Sequence, residues 1–401
     1  MRDRSAIAVL AATAIAACSR LADTAGMPPA ADNSFALQSA AVVYKEIYNF
    51  KGIPDGASPN GDLVYLNGVF YGSSYYGGAY GAGTVFRVTA SGEERVLHSF
   101  YVSRSKKTDA NPLGIALLRG ALYGTTVSGG AYGSGTVFTM TTAGKERILH
   151  SLGYGRDGRV PYSGLLPWKG TLYGEAGGGV YGLGTVYSVT PTGQERVVCS
   201  FPSSVGPPTG GLIAVNGTLY GTSPNGGPYN AGTAFSLTTA GSVGVIHNFG
   251  ASGDGSSPDG GVTALHGTLY GTTMSGGTYG RGIVFSLRRS GDEHVLHDFG
   301  SGTDGASPIG ALAVRDGVLY GTTSSGGLYG KGTLFSMTTT GSEKVLHNFG
   351  HASDGAQPAG KLLLLDGSFY SATVYGGNVC TGAGCGTVFE LTPTRVIEFA
   401  R

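Results

Sequence analysis

Charge is scarce in this sequence: Asp, Glu, Lys and Arg make up only 13% of its 401 residues. The 26 basic and 25 acidic residues are scattered and nearly cancel. That balance excludes the basic stripe of a nucleic-acid binder and a polybasic membrane patch. Cysteine is rare as well, with 4 in the chain, and there is 1 tryptophan. Beyond the first twenty residues no apolar run is long enough to span a bilayer. No helical period recurs anywhere. A Gly-x-Ser-x-Gly elbow, a closely spaced His pair and a suggestive cluster of carboxylates are all missing, so no metal and no cofactor is expected.

The first residues point to export. Met1 to Arg4 is short and charged, and Ser5 to Ala17 is apolar but too short to cross a membrane. Ile15-Ala16-Ala17-Cys18 resembles the lipobox of bacterial lipoproteins, which makes residues 1–17 a signal peptide and Cys18 the lipidated first residue. Ser19, in place of Asp, resembles lipoproteins passed on to the outer membrane of a Gram-negative host. Removing residues 1–17 takes two of the basic and one of the acidic residues, leaving 24 of each. Residues 18–42 carry no period and read as a flexible tether. Membrane contact is therefore expected only through the N-terminal anchor, with a monomeric domain held at the cell envelope.

Glycine is abundant, 73 residues in all, and it recurs at fixed places. Tyr71, Tyr123, Tyr173, Tyr220, Tyr270, Tyr320 and Tyr370 anchor seven units of about fifty residues that fill 43–401. Eight residues before each tyrosine stands Leu63, Ile115, Leu165, Leu212, Val262, Leu312 or Leu362, within an apolar segment expected to be a strand buried on both faces. Asn67-Gly68, Asn216-Gly217, Asp316-Gly317 and Asp366-Gly367 are type I′ hairpin dipeptides leading to a second strand. A third strand begins Gly-Thr-Val-Phe, and a fourth reads Val-Leu-His-x-Phe. Four antiparallel strands repeated seven times predict an all-β, seven-bladed propeller, with a β-solenoid as the alternative. The fourth-strand motif occurs once too often, at Tyr44 to Phe50 and again at Arg395 to Phe399, as a closed ring requires. Either copy can complete the last blade.

The segment Leu-Tyr-Gly-Thr-Thr-x-x-Gly-Gly-x-Tyr-Gly-x-Gly-Thr-Val-Phe resembles the Gloeo/Verruco (GloVer) tandem repeat of bacterial surface proteins. The resemblance covers residues 43–401 and implies an exported protein with one of several anchoring signals. It implies no established chemistry. Unit three departs from the pattern at Glu175-Ala176, unit four at Cys199, and unit seven at Ser371-Ala372 and in a loop insertion.

Several columns invite a functional reading. His98, His150, His247, His297 and His347 occupy one position, but each lies in a different blade, so packing between blades is the expectation rather than a shared metal. Asp55, Asp254, Asp304 and Asp354 precede Gly and Pro as turn residues do. Tyr80, Tyr132, Tyr181, Tyr229, Tyr279 and Tyr329 follow the Gly-Gly pairs and form a candidate ligand-binding rim, although such regular residues are expected to pack over their own loops. Trp168 falls in an apolar column and is expected to fill a core slot. Glu175, an acid where other units have Thr, is the outlier to mutate first. Cys380 and Cys385 are expected to form a local disulfide, leaving Cys199 unpaired.

These features favour a non-enzymatic surface scaffold that binds a glycan or a protein. An enzyme working at one channel mouth, or a purely structural envelope protein, is the alternative. Symmetry separates them, because catalysis requires unlike residues converging on one point.

Overall fold

The computed structural model describes residues 42–60, 62–102, 108–352, 354–380, 382 and 384–393. The expected signal peptide, Cys18, the expected tether up to residue 41 and the Arg395–Phe399 strand copy lie outside them. Among the described residues there are strands and no helix, and the strands form seven antiparallel sheets, one per unit. The protein is a seven-bladed β-propeller. In blade six the four strands are Gly305–Arg315, Val318–Gly326, Thr333–Met337 and Glu343–Asn348, hydrogen-bonded in that order. Blade seven draws its first three strands from the C-terminal end and its fourth, Val42–Asn49, from the N-terminal end. That strand pairs from Val42 with Pro393 to Asn49 with Thr387. The N-terminal copy is thus the one that closes the ring.

The hairpins obey the left-handed geometry that a type I′ turn demands. Asn67 and Gly68 have φ of 50° and 85°, and Asp316 and Gly317 have 51° and 76°. Both central residues must adopt positive φ, which Asn, Asp and Gly tolerate best.

No blade buries its faces alone. Each of seven apolar clusters joins two consecutive blades. At six of the seven junctions the phenylalanine ending one blade's fourth strand meets the phenylalanine of the next blade's third strand, and between blades two and three Leu152 and Tyr187 take their places. Phe299 and Phe335 stand 5.2 Å apart between ring centres, and Phe50 and Phe86 stand 4.9 Å apart across the closure. Beneath the third-strand ring of every blade but the seventh, which has Ser371, lies a glycine. A Cβ on Gly321 would come within 2.5 Å of Phe335 Cζ and 2.7 Å of Leu312 Cδ2. The glycine of Leu-Tyr-Gly is there for packing rather than for its backbone freedom.

The apolar first strands of successive blades face one another around a central channel. In every blade but the fourth, where Pro207 stands there, the strand is held in place by the residue before its proline. Asn111, Val160, Ser257, Ser307 and Gln357 all take positive φ, and their N–H groups donate to the preceding blade's loop, as Val160 N does to Ser134 O at 2.8 Å. Backbone strain of this kind is unusual for a β-branched residue such as Val160 (φ 54°).

Candidate ligand site in the axial channel

The channel is lined by the Pro-x-Gly-x-Leu segments, and the x positions differ from blade to blade. Asn60 and Asp62 come from blade one, Leu113 from blade two, Tyr162 and Ser163 from blade three, Thr209 from blade four, Asp259 from blade five and Lys361 from blade seven. They surround a cavity of about 380 Å³, a volume within the range of small-ligand sites. A second cavity of about 430 Å³ shares Asp62, Leu165, Pro167 and Lys361 with it, and is otherwise lined by apolar residues such as Tyr65, Leu117 and Leu363. The channel therefore has a more polar half, which still includes Leu113, Leu166 and Leu212, and a more apolar half, and the two meet at the level of Asp62 and Lys361.

Unlike hydrogen bonds link the blades around the polar half. Asn60 Nδ2 donates to Pro112 O at 2.6 Å, and Thr125 Oγ1 to Ser163 O at 3.1 Å. Thr209 Oγ1 donates to Asp259 Oδ1 at 2.7 Å, and Lys361 N to Asp62 Oδ1 at 3.1 Å. The other Asp62 oxygen reaches over the backbone of Gly114 and Gly164, since Cβ atoms there would lie 3.1 Å and 3.5 Å from it. Lys361 extends toward blade four, with its Nζ 3.8 Å from where a Cβ of Gly211 would be. Among the described residues, Lys361 is the one cation lining this cavity.

Glu175 lies directly behind that wall and is fully buried. Its Oε2 accepts from Ser163 Oγ and from Gly211 N, each at 2.9 Å, while its Oε1 has no partner. Burial pushes the carboxyl up to about 7, against the opposing pull of those two donors and of the Lys361 charge. The outlier singled out by sequence is thus attached to the channel wall.

The regular columns have other places. The six rim tyrosines are exposed, from 42% for Tyr329 to 68% for Tyr80, instead of packing down over their loops. Tyr80 and Tyr132 stand beside Tyr101 and Tyr154, with ring centres 5.5 Å apart in both pairs. Trp168 packs against the cluster between blades three and four, with Lys169 Nζ 4.7 Å above its ring. Cys380 and Cys385 are joined in a disulfide, and Cys199 is free.

The His and Asp columns, read separately in the sequence, meet. His150 bonds Asp157 at 2.8 Å, His247 bonds Asp254 at 3.0 Å, His297 bonds Asp304 at 3.2 Å and His347 bonds Asp354 at 2.7 Å. A glutamate from the next blade's fourth strand joins them. His150, Asp157 and Glu195, like His247, Asp254 and Glu293, each bring one possible ligand atom within 4.8 Å of the others. Such a trio has the donor types of a metal site. The ring itself favours a hydrogen-bonded clasp, because Tyr48 takes the histidine's place at one junction and bonds Asp55 at 2.8 Å. At the junction of blades three and four the trio is replaced together, by Cys199, Val243 and a connection without Asp whose Val205 is buried.

Together, ring and channel define a β-propeller whose unlike polar residues are gathered at one end of its axis. The profile of the Gloeobacter/Verrucomicrobia repeat matches residues 34–234, 105–269 and 207–400. The chain belongs to that family. None of the curated proteins compared matches it. Among solved structures it is similar to virginiamycin B lyase from Staphylococcus aureus, with 11% identity, a TM-score of 0.59, and 88% of this chain and 99% of that chain covered. A streptogramin B lyase structure is similar at 12% identity and a TM-score of 0.58, with 88% and 97% covered. At such identity the likeness is one of fold.

Proposed function

We propose that the protein is an exported, lipid-anchored propeller of the cell envelope that binds a compact, hydroxyl-rich ligand of the carbohydrate class in the polar half of its channel. The observation that carries this reading is the convergence of Asn60, Asp62, Thr209, Asp259 and Lys361, from four different blades, on one cavity. Carboxylates accept from sugar hydroxyls, the ammonium donates to them, and Asn and Thr do both. The set suits a ligand that presents many small donors and acceptors rather than one large apolar face. The repeat elsewhere carries nearly the same residues in every blade, so this departure from symmetry marks the part of the ring that scaffolding alone does not explain. The lipobox-like Ile15-Ala16-Ala17-Cys18 supports the anchor.

Titration of a panel of mono- and disaccharides into the full-length chain in detergent tests the site. Asp259→Ala and Lys361→Ala should each weaken binding about tenfold or more, the loss of one charge-assisted hydrogen bond. Tyr80→Ala and Tyr181→Ala should leave it unchanged. Binding lost on the tyrosine substitutions alone would move the site to the exposed rim. For the anchor, lipid labelling in cells should vanish in Cys18→Ser, and labelling that persists would contradict it.

A further inference from the structure

Blade three breaks the repeat at three places, the first two in direct contact. Ser163 stands where Gly210, Gly260, Gly310 and Gly360 stand, Glu175 replaces Thr or Ser, and Tyr187 replaces the third-strand phenylalanine. The first two replacements are sterically linked. In blade five a Cβ on Gly260 would lie 2.6 Å from Thr272 Oγ1, and in blade four one on Gly210 would strike Thr222 Oγ1. The next blade's backbone crowds the same spot, with Gly310 O 2.5 Å from the Cβ on Gly260, so a side chain at position 163 needs room on both sides, and loss of the threonine supplies part of it. Glu175, unbranched at Cβ, leaves the room and places Oε2 2.9 Å from Ser163 Oγ.

The result is a polar file running outward from the channel. Ser163 lines the cavity and its hydroxyl donates to Glu175. Gly211 N fixes the same carboxylate oxygen from the neighbouring blade. Glu175 Oε1 has no partner, and on the opposite face of the blade, packed toward blade two, the hydroxyl of the fully buried Tyr187 has none either. Two unpaired buried polar atoms in one blade are costly to a purely structural pair. Thr222 Oγ1 and Thr272 Oγ1, at the same position in blades four and five, also lack partners, so what sets blade three apart is that its unpartnered atom there belongs to a carboxyl group.

We infer that Ser163 is a nucleophile and Glu175 its general base, in the cleavage of a carboxylic ester of a hydroxyl-rich compound bound in the channel. Ser163 Oγ attacks the ester carbonyl carbon while its proton passes to Glu175 Oε2. The carbonyl oxygen takes up negative charge, and Lys361 is the cavity's cation for it. The C–O bond to the alcohol then breaks, and the leaving alkoxide takes the proton back from Glu175. Water, deprotonated by Glu175, attacks the acyl-serine, the acid departs, and Ser163 regains its proton. A carboxyl titrating near neutrality can hold and return a proton at that pH. The inference rests on the channel as the ligand site and adds chemistry to it.

The test uses the full-length chain, a fluorophosphonate probe and p-nitrophenyl acetate. The probe should form an adduct that peptide mass spectrometry maps to Ser163. Ser163→Ala should abolish adduct and hydrolysis. Glu175→Gln should slow both by about 10²-fold or more and remove a rise in rate with pH centred near 7. Near-UV circular dichroism and a thermal melt establish that each variant is folded. An adduct elsewhere, no adduct on the folded wild type, or labelling at full rate in Glu175→Gln overturns the inference. A wild-type chain that binds a sugar yet neither labels nor cleaves ester sinks the chemistry and leaves the binding reading standing. A chain that does none of these sinks both.

Discussion

Single residues in this ring are decided by what stands one blade away. Gly321 illustrates it: Gly321→Ala should destabilise the fold by about 1–3 kcal/mol, the range for overpacking a tight core, measured by denaturant unfolding. At Glu175 the neighbour is a charge. Lys361 holds the buried carboxyl down against desolvation, so Lys361→Ala should move its titration further up, as carbon NMR of the carboxyl would show. An unmoved titration would mean that the ammonium spends its time away from the wall. Glu175 was legible in the sequence because it broke a column. Asn60, Asp62, Thr209, Asp259 and Lys361 were not, because attention to what repeats passes over what varies. The signal was present in the x positions of Pro-x-Gly-x-Leu, the variable residues inside an otherwise constant segment.

The outer strands join through the clasps, and their chemistry is pH-dependent. Glu94, Glu146, Glu195, Glu293 and Glu343 are each pushed up to about 7, chiefly by burial. Their ordinary value is 4.5, so between there and 7 the folded protein holds protons that the unfolded chain has lost. Their contribution to stability is full below about 4.5 and is lost as pH rises through 7. Thermal melts should therefore fall from pH 5.5 to 8, and replacing these glutamates by Gln should flatten that decline. A melt insensitive to the substitutions would remove the clasps from the account. The sequence displayed the His, Asp and Glu columns but not their meeting. The partners belong to consecutive blades, and their pairing follows from the docking of whole sheets. Only the joint replacement by Cys199, Val205 and Val243 hinted that they act as one unit.

At the scale of the ring, closure is the main requirement. Tyr71 and its six counterparts gave the blade number, and the hairpin dipeptides gave the first turns. Two equivalent strand copies left the closing strand open, and Val42–Asn49 fills that place. Deleting residues 42–50 should remove the fourth strand of blade seven together with Ile47 and Phe50 of the closing cluster. The expected outcome is loss of the single cooperative melt, with exposed apolar surface reported by dye binding. A ring closed this way holds seven first strands at fixed distances, and only such rigidity lets four of them present these unlike side chains to one cavity. The most direct measurement is a crystal structure of the full protein soaked with a sugar that binds it. The account predicts density in the polar half of the channel, in hydrogen-bond contact with Asp259 and Lys361. Density confined to the exposed tyrosines or to the outer wall, with an empty channel, would contradict it.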